Sequence, residues 1–408
     1  MLTGTNLTYT KAYNFRIVFE TIRLQGPISR ADVARRTSLT AQTVSNIVNR
    51  LLERNFVQEG KKLQKKRGAP STTLEVNPDG AFSVGLDFNR DHLTGILVDL
   101  AGNVKTKIFH EVDTPSPEEA IKLMVSVVRQ LTSTPEVGDA YICGVGVGLP
   151  GPLDINKNNE VSNTINPKAF PNWNHVPIGK MLKEHIAVPI FIENNASAAT
   201  IGEKWYGAGK NISNFAYAFF GAGLGGGLVL KGNLYEGQNQ NSGEFGYFPF
   251  MGEKSPISDS DHPHVGEHFN LTKLYQWLRE SDIIVKRPEE LGNLFLDKNP
   301  VFLNWLQLAK QYLASVFIVT QYMIDIEVII LGGRLPHIIF EDIANDLPGI
   351  MTSLRNDFKT PAPIFKCGTA GVDAAALGAA TLPIFDLFAA QTDVLIKNNS
   401  SKEEAPKK

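Results

Sequence analysis

Two stretches of this chain open in the same way. Residues 82–112 hold "FSVGLDF", "HLTGILVDL" and "VKTKIFHEV", three apolar segments of strand length, with a Gly102-Asn103 turn in "LAGNV" between the second and third. Residues 215–235, "FAYAFFGAGLGGGLVLKGNLY", repeat the pattern as strand, glycine turn, strand, turn. A chain that starts a three-stranded unit twice, with helical periodicity after each, is expected to form an α/β body of two duplicated lobes with a cleft between them. The helices expected there include "SPEEAIKLMVSVVRQL", "IGKMLKEHI" and the small-residue segment "GVDAAALGAATLPIFDLF", which suits close packing. Glycines 221, 223, 225, 226 and 227 leave backbone N–H groups bare, as a phosphate-cradling hairpin would, although a tight hairpin needs glycine in any case.

The first seventy residues are of another kind. They carry thirteen Lys/Arg against four Asp/Glu, a balance of +9, while the rest of the chain stands at −11. That split suggests a basic module for a polyanion joined to a body with a different task. "NFRIVFETIRLQG" predicts an amphipathic helix on Phe15, Val18, Phe19, Ile22 and Leu24, ended by Gly26. Ser29 can cap a short helix with Asp32 three residues on, and Thr40 a second helix reaching about Arg54. The second helix buries Val44, Ile47, Val48, Leu51 and Leu52, and presents Gln42, Thr43, Ser45, Asn46, Asn49 and Arg50. A short turn between two helices, the second rich in amides and hydroxyls, is expected to read DNA. A small bundle with a polar surface is the plain alternative. Ser29, Arg30 and Thr40 join the expected contacts. Lys65, Lys66 and Arg67, in the basic loop of "FVQEGKKLQKKRGAPSTTLEVN", would line phosphates as a wing, with Arg67 placed for a minor groove.

No apolar run of spanning length and no signal-peptide layout is read from the sequence. Cys143 and Cys367 sit far apart in apolar segments, so free thiols in a reducing cytoplasm are expected. The expected division is a winged helix-turn-helix domain at 1–76, a two-lobed body at 77–390 whose last helix returns to the first lobe, and a disordered polar tail at 391–408.

Four motifs agree in order and spacing: "GVGVGLPGPLD", "PIFIENNASAATIGE", "GAGLGGGLVLKGNLYEGQNQNSGEFGY" and "VIILGGRL". With them the chain resembles, over nearly its whole length, the ROK family of repressors, open reading frames and sugar kinases, on the actin-like ATPase fold. Members with an N-terminal winged helix are typically sugar-responsive regulators. The resemblance implies sugar binding by Asn194, by Glu244 in "SGEFGY" and by Glu267 in "VGEHF", with Gly151 near the sugar. Asn166 and His264 are further candidates. Asn195 stands where the kinases have the aspartate that takes the proton from the sugar hydroxyl, and a neutral amide cannot do that. The first phosphate loop, "DxGxT" in kinases, reads "DFNRD" here. No catalytic residue is therefore expected, and Glu193 is expected to point away from the pocket by strand alternation. The family's zinc set of one histidine and three cysteines is missing, with Tyr247 at the histidine position. Asp261, His262, His264 and His268 could hold a metal, but a polar loop is the simpler reading, and neither metal nor cofactor is expected. The expected function is a sugar-responsive repressor, acting as a homodimer or homotetramer on operator DNA and away from any membrane. An ATP-dependent sugar kinase with an added DNA-binding domain is the alternative.

Overall fold

The computed structural model describes residues 6–63, 71–151, 153–155, 161–163, 173, 176–249, 264–355, 361–390 and 395. The N-terminal module begins with α1 (Leu7–Gln25), capped by Asn6, whose side chain accepts from the Tyr9 N–H. Then come β1 (Ile28–Ser29), α2 (Arg30–Thr37), α3 (Ala41–Glu53), β2 (Val57–Leu63) and β3 (Ser71–Val76), with strand order β1-β3-β2. The expected stripe builds its core: Val18, Phe19, Ile22, Val33, Val44, Val48 and Leu51 are buried. Thr40 caps α3 by accepting the Thr43 N–H, which fixes where the helix starts after a three-residue turn.

The body contains two five-stranded sheets. The first is formed by β4 (Ala81–Phe88), β5 (His92–Asp99), β6 (Val104–Glu111), β7 (Tyr141–Leu149) and β10 (Ile190–Asn194). Between β7 and β10 lie the small hairpin β8 (Asp154–Ile155) with β9 (Val161–Asn163), and α5 (Ile178–Lys183). The second sheet is formed by β11 (Phe215–Phe220), β12 (Leu224–Leu230), β13 (Asn233–Leu234), β14 (Val328–Gly333) and β15 (Ile364–Cys367). Their orders, β6-β5-β4-β7-β10 and β13-β12-β11-β14-β15, are the same topology: an antiparallel meander of three strands, then two parallel strands added beside the first.

Between the sheets lie α6 (Asn195–Trp205) and α12 (Ala374–Phe388). Small residues let these layers approach closely. A Cβ on Gly146 of β7 would lie 1.9 Å from the Ala379 carbonyl oxygen of α12. One on Gly378 of α12 would lie 2.1 Å from the Ala198 carbonyl oxygen of α6. On the other side, Gly225 and Gly227 of β12 face Ala196 and Thr200 of α6. These two glycines, with Gly226 against Phe245, are needed for packing; of the turn glycines, Gly221 lies against the Phe219 ring and Gly223 faces open space.

The outer face of the first sheet is covered by α4 (Pro117–Thr132) and α5, which bury Phe82, Val84, Leu86, Val145 and Val147. A capping box at Ser116 and Glu119 starts α4. The outer face of the second is covered by α7 (Val265–His268), α8 (Leu271–Arg279), α9 (Leu291–Leu296), α10 (Pro300–Ile324) and α11 (His337–Leu354). One 18-residue window, Gly371–Phe388, does reach spanning length and apolarity, contrary to the sequence expectation. Its residues from Ala374 on form α12, which packs among β4, β7 and α6, and 56% of the window is buried.

The N-terminal module shares a core with the first lobe. Phe19 stacks on Phe388 at 4.1 Å between ring centroids, and Phe56 meets the same ring edge-on at 5.0 Å. The Arg23 guanidinium lies 3.8 Å over the Trp205 ring and donates to the Trp205 carbonyl oxygen at 2.6 Å.

Candidate DNA interface and ligand pocket

The outward face of α3 carries exposed Gln42, Asn46 and Asn49, with Thr43, Ser45 and Arg50 half-buried beside them. Gln42 Nε2 donates to Asn46 Oδ1 at 3.0 Å, one helical turn away. Arg30 from α2 donates to Asn49 Oδ1 at 2.8 Å. The amide row is thus pre-aligned, and a base edge must exchange these bonds for its own. Thr40 and Thr43 pair their hydroxyls at 2.9 Å at the start of the helix. Arg50 leans over the Phe15 ring at 5.5 Å, so packing against α1 takes part of its surface.

Ser29 is a correction. It is 1% exposed, accepts the Asp32 N–H and donates its hydroxyl to Asp32 Oδ2 at 2.7 Å, so its role is the cap and not a DNA contact. Arg35 and Arg36 are exposed in the last turn of α2, Arg35 paired with Asp32 at 2.6 Å; both belong to the +9 balance but not to the expected contacts. The "RR" pair before the turn was the available signal. Lys65, Lys66 and Arg67 lie outside the described residues, while Lys61 and Lys62 are exposed on β2.

The pocket candidates converge where the first sheet ends. Leu149 of β7 is in register with Asn194 of β10, and Gly151 follows two residues on. A side chain at Gly151 would begin 1.9 Å from Asn194 Nδ2 and 3.2 Å from Glu244 Oε1, so glycine is what lets the three meet. Asn194 divides its amide between two tasks. Its oxygen accepts the Ala196 N–H at 2.8 Å, capping α6, and its nitrogen donates to Glu244 Oε1 at 3.1 Å. It is 6% exposed, so a ligand hydroxyl must compete with Glu244 for it.

Burial pushes the Glu244 carboxyl up to about 7 despite the bond from Asn194. Asn195 is the half-buried first residue of α6, close to Gly148. Glu193 is also held up at about 7 by burial. Its Oε1 folds back to accept the Asn194 N–H at 2.7 Å, so it supports the strand–helix junction.

A second group stands beyond Glu244. His264 Nδ1 lies 2.8 Å from the Gly246 carbonyl oxygen, its Nε2 lies 3.3 Å from Glu267 Oε1, and the Tyr247 ring is 5.0 Å away. Asn166, Asp261 and His262 lie outside the described residues. The residues present do not fit the family's zinc: Tyr247 replaces the histidine, and Cys143 and Cys367 belong to strands of different sheets. At the position of the first phosphate loop, His92 Nε2 sits 3.3 Å from Asp87 Oδ2. What the structure brings together is the Glu244 carboxyl and the Asn194 amide beside Gly151, with an asparagine and no carboxylate at position 195.

Comparison with known proteins agrees with this architecture. The model of the ROK family matches residues 83–384, and that of the MarR family matches residues 5–66. The chain is 32% identical over 240 residues to the xylose repressor of Bacillus spizizenii, an alignment covering 59% of this chain and 61% of that one. The match thus spans about six tenths of that relative's length. A crystal structure of a ROK family transcriptional regulator, a homolog of the E. coli MLC protein, superposes with a TM-score of 0.73 at 17% identity, covering 95% of this chain and 99% of the other. A ROK family glucokinase from Streptomyces griseus, solved with glucose and AMPPNP, gives 0.61 at 18% identity, over 74% of this chain and 98% of the other. With three quarters of its length under the first of these models and both sheets in the matching fold, the chain belongs to the ROK family.

Proposed function

We propose that this protein is a DNA-binding transcriptional repressor whose two-lobed body senses a sugar or sugar derivative and transfers no phosphate. The observation that carries the reading is the pairing, on one chain, of an exposed amide face on α3 with a hydroxyl-holding pocket that has Asn195 in place of a base. In this reading residues 1–76 read the operator and residues 77–390 bind the effector. Arg30, Thr40, Gln42, Thr43, Ser45, Asn46, Asn49 and Arg50 contact DNA, with Lys65, Lys66 and Arg67 on the phosphates. Gly151, Asn166, Asn194, Asn195, Glu244, His264 and Glu267 surround the sugar. A cytoplasmic homodimer or homotetramer presents paired α3 helices to two half-sites, and the sugar releases it in proportion to its preference for the unbound state. The similarity to a xylose repressor makes xylose the first effector to try.

Thermal unfolding of the full chain with xylose, with glucose and with magnesium ATP, alone and combined, tests the reading. A sugar at about a hundred times its dissociation constant stabilises by about 2.7 kcal/mol. A shift with a sugar, lost in Glu244→Ala and accompanied by no ADP, supports a sensor. A shift with ATP that a sugar enlarges, with ADP produced, replaces it by the kinase reading.

A further inference from the structure

The pocket uses the sheet edge above β7 and β10. The neighbouring strands β4 and β5 meet the second lobe through a separate chain of groups. Asp87 Oδ2 lies 3.3 Å from His92 Nε2, and His92 Nδ1 lies 2.7 Å from Asp91 Oδ1. Arg334, immediately after β14, donates to Asp91 Oδ2 at 3.3 Å. The base of the Arg334 side chain is fixed in the second sheet, because its backbone N–H donates to the Phe220 carbonyl oxygen at 2.7 Å. On the other side of the turn, Arg90 donates to the Thr272 hydroxyl of α8 at 2.5 Å.

His92 is 3% exposed. Burial lowers its pKa, as does Arg334, whose Nη1 lies 3.3 Å from His92 Nδ1, but hydrogen bonds to Asp87 and Asp91 hold it up at about 9. Asp91 is driven the other way. Burial would raise its carboxyl, yet His92 and Arg334 hold it far below the usual range. The Tyr275 hydroxyl, buried and without a hydrogen-bond partner among the described residues, is close enough to feel both Arg334 and Asp91.

We propose that Asp87, His92, Asp91 and Arg334, with Arg90 and Thr272, form a clasp that ties the β4–β5 turn to the second lobe and sets the resting opening of the cleft. The protein's own side chains thereby occupy the place of the first phosphate loop. An exposed ion pair alone would do little, because ordering two side chains offsets the attraction. Here the buried His92 already holds Asp91, and the backbone bond to Phe220 already anchors Arg334, so less freedom remains to be lost. The clasp lies beside the pocket on the same sheet edge. A ligand that prefers a different opening must work against it, and one that prefers the same opening gains from it.

Interlobe distance in the full chain tests the clasp without any ligand. Spin labels at Lys122→Cys on α4 and Asn345→Cys on α11, in a Cys367→Ser background that leaves only the buried Cys143, report the separation by double electron–electron resonance. Arg334→Ala and Asp91→Ala should each move the distribution to longer distances, beyond the wild-type width. The double variant should move it no further than either alone. The wild type itself should open in about 1 M salt, where screening acts within ~3 Å, while Arg334→Ala should respond little. That arm needs no substitution in the clasp, so it stands even if a variant fails to fold. An unchanged distribution in Arg334→Ala, or additive opening in the double variant, overturns the clasp and leaves a static ion pair.

Discussion

The two sheets share one strand order and differ at one turn. In the first lobe the β4–β5 turn carries Asn89, Arg90 and Asp91, leading into His92, and it reaches across the cleft. In the second lobe the β11–β12 turn is Gly221-Ala222-Gly223, and a side chain added at Gly223 would meet nothing within 4 Å. Behind both turns the molecule is the same kind of object: a sheet pressed on a small-residue helix at backbone distance. The two lobes share a strand order and close packing on a small-residue helix, and they differ in the chemistry of this turn.

The largest effects should come from breaking what the lobes have in common. Gly378→Leu drives a side chain into the Ala198 carbonyl, where even a Cβ would sit 2.1 Å away. It should cost about 3 kcal/mol or more, read as a lowered melting temperature or as failure to accumulate folded protein. Phe388→Ala removes a ring that two aromatic residues of the N-terminal module touch. A loss of about 3 kcal/mol is expected, with faster amide exchange in α1 than in the second lobe.

Titration should separate the lobes more gently. The His92 pKa is raised in the fold, from 6.5 to about 9, so its contribution is complete below pH 6.5 and is lost as pH rises through 9. Glu244 is raised from 4.5 to about 7, and its contribution is lost as pH rises through 7. Stability should therefore decline from about pH 5 to pH 9 in two overlapping steps. His92→Gln should remove the upper step, and Glu244→Gln should reduce the lower one, leaving the part due to Glu193, which is also raised to about 7; a profile unchanged by either substitution defeats the assignment. The smallest effect belongs to the open turn. Gly223→Ala should change stability by less than about 0.5 kcal/mol, and a larger change would show that the turn is not free.

Local features could be read from the sequence. The stripe of Val44, Ile47, Val48 and Leu51 and the Thr40 cap placed α3 to within a residue, because both act within one or two helical turns. The meander of the first sheet was visible through its turns. Asn194 and Glu244 were singled out from motif resemblance, and the structure brings them together across fifty residues.

What escaped was set by distance in the chain or by competition for one group. The Arg334–Asp91 pair spans 243 residues, and no periodicity reports it. Gly225 and Gly227 suggested a phosphate cradle because sequence cannot show that α6 lies against them. Ser29 could cap a helix or meet a phosphate but not both, and Asp32 took its hydroxyl. The apolar run at Gly371–Phe388 passes for a spanning segment by length and composition, and only its packing neighbours show it to be a core helix.

The stacking of Phe19 on Phe388 has a consequence for engineering. On the proposed function, domain exchange would be attempted at the segment joining the N-terminal module to the body. In this protein that cut would be poorly placed. Phe388 and Trp205 belong to the body by sequence, yet they complete the interior of the N-terminal module, and Arg23 is bound to both ring and backbone at the seam. A transplant ending at residue 76 would carry an open face, and the recipient would inherit a bare aromatic patch. A workable graft must move the last turns of α6 and α12 with the N-terminal module, or redesign both sides of the seam together.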